Sequence, residues 1–188
     1  SITSLANPVI NVDIDAFFSN TSLGLTDFSD PHVRFDRLSG RWFIVIIDIT
    51  SADNNYLCIA VSNGPTITST TNFTLYYLQS ATGSSATDDF LDYPTLGVDA
   101  NALYVGGNTF GPTTFRGCPI YVIKKSSLLS GGPASFTVFQ YGTGAGKSGS
   151  TDAQGIYTPQ GVHNDDPAAT QGYFIGTDNA AFRSEEHT

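Results

Sequence analysis

Residues 29–43 read SDPHVRFDRLSGRWF, and their patterning decides the fold class of the chain. Val33 and Phe35 alternate with His32 and Arg34, which is the period of a half-buried strand. Asp36-Arg37-Leu38-Ser39-Gly40 then supplies turn chemistry, an aspartate able to bond its own backbone and a glycine free to take positive φ. Residues 42–47 follow as a near-continuous apolar run, too short for an ordinary helix and with no helix cap before it. The stretch is a hairpin.

A related pattern returns twice. Pro31-x-Val33-x-Phe35-Asp36 is answered by Pro94-x-Leu96-x-Val98-Asp99 and, more loosely, by residues 159–164, which end on Asn164. Asp36 and Asp99 lie 63 residues apart (99 − 36), and Asp99 and Asn164 lie 65 apart (164 − 99). Each first strand is followed by a second, at 42–48, 103–108 and 172–178. Third strands are expected at 56–62 and 120–124, and fourth strands at 73–78 and 136–141. Four short antiparallel strands per repeat make one blade of a propeller. The expected fold is all-β, a β-propeller fragment over residues 1–182. Its blades lie at 31–78 and 94–141, with a partial blade from 159 and the last strand of a preceding one within 7–18.

Composition agrees with that class and excludes others. The chain has 188 residues and a net charge of −9, rich in Gly and poor in the long helix formers. Such acidity argues against nucleic-acid binding, which needs basic patches to neutralise phosphates. No apolar run approaches the ~20 residues of a membrane-spanning helix. Residues 183–188, RSEEHT, resemble the translated start of a sequencing adapter and are set aside; they hold the only two Glu of the chain. Residues 142–148, GTGAGKS, imitate a phosphate-binding loop, but the spacing would require glycine where Tyr141 stands, so the stretch reads as a flexible linker. Lys124-Lys125 opens a single helical turn stopped by Gly131-Gly132, with both lysines expected on a solvated edge.

The pattern Asp30-Pro-x-Val-x-x-Asp36, then Gly40-x-Trp42-Phe43, then Cys58-Ile-Ala-Val-Ser-Asn-Gly64 resembles the first three strands of a blade in the sialidase-like, Asp-box β-propeller superfamily. Ser62-Asn63-Gly64 stands where an Asp box would begin but lacks the box's Asp and Trp. The resemblance implies a secreted or cell-surface bacterial protein. It transfers no catalytic residue: Arg34, Arg37, Arg41 and Arg116 form no recognisable carboxylate-binding set, and outside the tail there is no Glu for a Tyr-Glu nucleophile. Adjacent blades diverge toward their outer strands, while a disulfide needs Cα atoms within about 7 Å, so Cys58 and Cys118 are expected as buried free thiols.

Superposing the repeats singles out one end of the sheets. Antiparallel pairing sets the start of each first strand beside the end of the second. That brings Asp30, His32, Asp92, Tyr93 and Thr158 near Asp48, Asn108 and Asp178, with His163, Asn164, Asp165 and Asp166 as further candidates. An oxygen-rich rim of this kind suits sugar hydroxyls or Ca²⁺, although Asp and Asn also end strands simply by capping turns. The expected function is a non-catalytic binding or structural propeller, with a glycan or another surface protein as partner. The alternative is a glycoside hydrolase whose catalytic residues lie mostly outside this chain.

Overall fold

The structure, a computed structural model, describes residues 10–51, 55–80, 89–113, 115–139 and 156–178. It is all-β, built from antiparallel sheets. The first is a four-stranded meander of β1 (Phe28–Asp36), β2 (Arg41–Asp48), β3 (Tyr56–Ser62) and β4 (Phe73–Gln79), in that order. The apolar run of β2 is continuous because both faces are covered: Phe43, Val45 and Ile47 join one core cluster, Ile44 and Ile46 the other.

The second repeat forms the same succession of strands, each interrupted. The first is split into β5 (Phe90–Asp92) and β6 (Gly97–Val98) around Tyr93-Pro94, and the second into β7 (Ala102–Gly106) and β8 (Asn108–Phe110) around Gly107. The third is split into β9 (Phe115–Gly117) and β10 (Ile120–Lys124) around Cys118-Pro119; β11 (Phe136–Phe139) is the fourth. The pairing orders are β6-β7-β10-β11 and β5-β8-β9. Backbone bonds from Thr95 to Gly106 (2.8 Å) and from Gly107 to Pro119 (3.2 Å) carry the pairing across the breaks. The third repeat supplies a hairpin of β12 (Ile156–Gly161) and β13 (Phe174–Asp178).

The repeat is closer in geometry than in sequence. Asp30, Tyr93 and Thr158 each adopt positive φ (57°, 51° and 48°), and each precedes a proline. Six residues after each comes a side chain that turns the chain by accepting the amide two positions on: Asp36 from Leu38 (3.1 Å), Asp99 from Asn101 (2.7 Å) and Asn164 from Asp166 (3.0 Å).

The sheets stack in chain order. Phe43, Val45, Ile47, Leu57, Ile59, Tyr76 and Leu78 of the first bury against Leu91, Leu96, Val98, Leu103, Val105, Tyr121 and Ile123 of the second. The opposite face of the second sheet takes β12 at backbone distance: a Cβ on Gly161 would collide with the Tyr104 carbonyl, and one on Gly106 with the Pro159 carbonyl. Two polar staples cross the first interface. Asn55, fully buried, donates to the carbonyls of Asp48 (3.0 Å) and Leu91 (2.7 Å) and accepts from the Leu91 amide (2.8 Å). Lys125 Nζ lies 2.8 Å from Asp36 Oδ2 and also donates to the Asp99 carbonyl.

Two expectations, on residues 7–18 and on Lys125, are corrected here. The described part of residues 7–18 contains not a strand but a short helix, α1 (Ile14–Phe18), because the Asp13 side chain accepts the amides of Asp15 and Ala16 and so caps it. Lys125 is not on a solvated edge: it opens α2 (Lys125–Leu129) with 4% of its surface exposed, since Asp36 and Asp99 supply the partners that burial demands. Only Lys124 is solvent-facing. Cys58 and Cys118 are buried and free. Residues 142–148 and 183–188 lie outside the described residues.

A candidate ligand-binding rim

The left-handed residue before each proline interrupts the first strand. The register of β1 against β2 shifts between Ser29 and His32, and that of β12 against β13 between Tyr157 and Gln160. Beyond each shift the side chains are re-aimed, and at the junction of the first two sheets the result is a cluster. The His32 ring, from β1, meets the Tyr93 ring edge to face, with centroids 5.8 Å apart and planes at 81°. Asp30 and Asp92 flank the pair. Burial raises the pKa of Asp92, the Asp30 charge raises it further, and the hydrogen bond with the Tyr93 backbone opposes both. Burial lowers the pKa of His32, Arg34 lowers it too, and Asp30 pulls the other way without reversing the shift, so the imidazole is mainly neutral at pH 7. Tyr93 is 46% exposed. The site therefore offers solvent one aromatic face, one neutral imidazole and two mutually repelling carboxyl groups.

Four of the seven residues singled out from the sequence, Asp30, His32, Asp92 and Tyr93, are thus brought together. The others are not. Asp48 does end β2 opposite Phe28, but its side chain is buried and accepts the Thr50 amide (2.9 Å), the capping role. Asn108 pairs with Asp92 in register, yet its side chain is spent between sheets: Nδ2 donates to Thr158 Oγ1 (2.9 Å), while Oδ1 accepts from the Thr158 amide (3.0 Å) and from Cys118 Sγ (3.2 Å). The backbone of Asp178 lies opposite Ile156; its side chain is outside the described set. His163, Asn164, Asp165 and Asp166 follow β12 at the end away from Thr158, where Asp165 contacts His163 (3.2 Å) and Arg37 (3.7 Å), so they cannot join the rim.

Among the described residues no group of three or more His, Cys, Asp or Glu side chains gathers in a way that could hold a metal ion. No described helix is long and apolar enough to cross a membrane. No family model, curated protein or solved structure matches the chain.

Proposed function

We propose that the chain is part of a β-propeller resembling the sialidase-like superfamily, from a secreted or cell-surface protein, and that it binds glycans without turning them over. The sheets stack in chain order with first strands adjacent, β1 beside β6 and β6 beside β12, as blades do around an axis. The observation that carries the binding role is the convergence of Asp30 and His32 from one sheet with Asp92 and Tyr93 from the next. An exposed aromatic face takes the apolar C–H surface of a sugar ring, and carboxyl and imidazole groups take its hydroxyls.

The test is a glycan panel followed by calorimetry on the whole chain. Tyr93→Ala and Asp92→Asn should each weaken binding by about tenfold or more, near 1.4 kcal/mol. Thr74→Ala, on the outer strand β4, should leave it unchanged. A panel without any Tyr93-dependent ligand would sink the reading. A second reading rests on Asp92, whose raised pKa beside Asp30 has the electrostatic pattern of an acid/base carboxyl pair in a glycoside hydrolase. Release of product from bound glycans, abolished by Asp92→Asn, would favour it.

A further inference from the structure

We propose that the rim at the junction of the first two sheets selects glycans bearing a free amine, the de-N-acetylated hexosamines, over N-acetylated, neutral and carboxylated sugars. The selection presupposes the glycan-binding role proposed above and gives it a ligand class. It follows from how the acidic side chains are partnered. Asp36 has Lys125 (2.8 Å), Asp89 has Arg116 (3.4 Å), and Asp165 has His163 (3.2 Å) and Arg37 (3.7 Å). Asp30 and Asp92 form no ion pair with any described residue. Yet they converge from two sheets, close enough for the charge of Asp30 to raise the pKa of Asp92. Arg34 does not neutralise them: it bears on His32 and donates to the Val33 carbonyl (3.0 Å), whereas the charge that shifts Asp92 is that of Asp30.

An ammonium group suits both parts of this cluster. Set by the two carboxylates it relieves their repulsion and donates to each, and over the exposed ring of Tyr93 it is attracted by the negative face of the π-system. A sugar amine makes both contacts at once, because its nitrogen is bonded directly to the ring whose C–H face lies on Tyr93. The neutral imidazole of His32 and the remaining carboxyl oxygens then take the neighbouring hydroxyls, which a lysine side chain does not bring. N-acetylation removes the charge and two of the three donors. A carboxylated sugar would add a third negative charge to the pair, its approach opposed by a chain of net charge −9, where the fork of an arginine is what such a sugar requires.

The experiment is calorimetry on the full chain at pH 7 with matched disaccharides of glucosamine, N-acetylglucosamine, glucose and glucuronate, and with a short lysine-containing peptide. Glucosamine should bind about tenfold more tightly than its N-acetylated and glucose counterparts, the combined effect of an exposed cation–π contact and a solvent-screened ion pair. Glucuronate should bind least, and added salt should narrow the preference. Asp92→Asn should bring glucosamine down to the level of N-acetylglucosamine, and Tyr93→Ala should weaken every sugar. Asp165→Asn, at the end away from Thr158, should leave the preference unchanged. Equal, Tyr93-dependent affinity for glucosamine and glucose overturns the selection and leaves glycan binding standing, as does tighter binding of glucuronate. An amine preference that survives Asp92→Asn is attraction to the acidic chain at large and overturns the proposal, as does tighter binding of the lysine peptide. Absence of Tyr93-dependent binding by any sugar removes the glycan reading together with the selection.

Discussion

Replacing Lys125 by Met tests whether the buried staple between the first two sheets holds them together. The side chain keeps its approximate volume and loses its charge, leaving Asp36 buried at 1% exposure without its cation. Removing one member of a buried pair typically costs about 3–5 kcal/mol. We expect the lower end, about 3 kcal/mol, because Ser39 Oγ and the Leu38 amide still donate to the stranded carboxylate. With a urea slope of about 2 kcal/mol/M that is a midpoint shift of about 1.5 M. The pH dependence should change sign. In the parent, burial alone would raise the Asp36 pKa, but the hydrogen bonds from Lys125 and Ser39 and the Lys125 charge bring it below its usual value. The resulting stability is present above the unfolded pKa, about 3.9, and is lost as pH falls through the folded one. In the variant burial dominates and the pKa rises, so the penalty should be greatest at pH 7 and shrink toward pH 4. Adding Asp36→Asn keeps the turn and removes the stranded charge, and should recover most of the loss. Trp42, the only tryptophan, half-buried beside Phe35, provides the fluorescence readout. An unchanged midpoint, or a penalty that grows with acid, would refute the reasoning.

Other consequences follow from the same contacts. Gly161→Ala places a methyl group against the Tyr104 carbonyl and the Gly97 amide, and should destabilise by about 2 kcal/mol or more in thermal unfolding, whereas Gly64→Ala, with open space around it, should not. Asn55→Ala strands the buried Leu91 amide and should cost about 3 kcal/mol by urea titration; a loss below about 1 kcal/mol would mean that the second sheet is not anchored there. Asp30→Asn removes a negative charge that raises the pKa of both His32 and Asp92, so both should titrate at lower pH by NMR; if neither moves, the rim cluster is not assembled.

The parts of the fold legible in the sequence were those written in short-range chemistry. Residues 29–43 carried the hairpin, and the Asp36, Asp99 and Asn164 turns marked the repeat because a carboxylate or amide bonding two residues on is a local event. Burial that depends on distant partners was hidden. Lys125 looks like Lys124 in sequence, and what separates them is a carboxylate 89 positions away. At α1 two local signals competed, alternation in Val12-Asp13-Ile14-Asp15 and the capping power of Asp13, and the cap prevailed. At the rim, antiparallel register placed strand ends correctly, but register does not say whether an end side chain faces water. Both faces of β2 are covered, so Asp48 had no solvent to face, while Tyr93, just past β5, did.

The left-handed residues before the three prolines were not legible at all, since a residue preceding proline normally stays extended. For non-glycine residues this conformation costs about 1–2 kcal/mol each, so Asp30, Tyr93 and Thr158 together carry several kcal/mol that glycine would relieve. At Thr158 the side chain offsets its share inside the fold, because its hydroxyl accepts from Asn108 and ties the third repeat to the second. Tyr93 has no such return: nearly half its surface stays in water, and its described ring contact is to His32, itself part of the cluster. Glycine would be the cheaper residue if geometry alone mattered there. The strain at Tyr93 is then the cost of holding an aromatic ring over a junction between sheets, and this makes Tyr93→Gly the sharpest single test of the proposed binding role: it should raise thermal stability while abolishing any glycan binding found on the panel, two effects that a residue with a purely structural role would not separate.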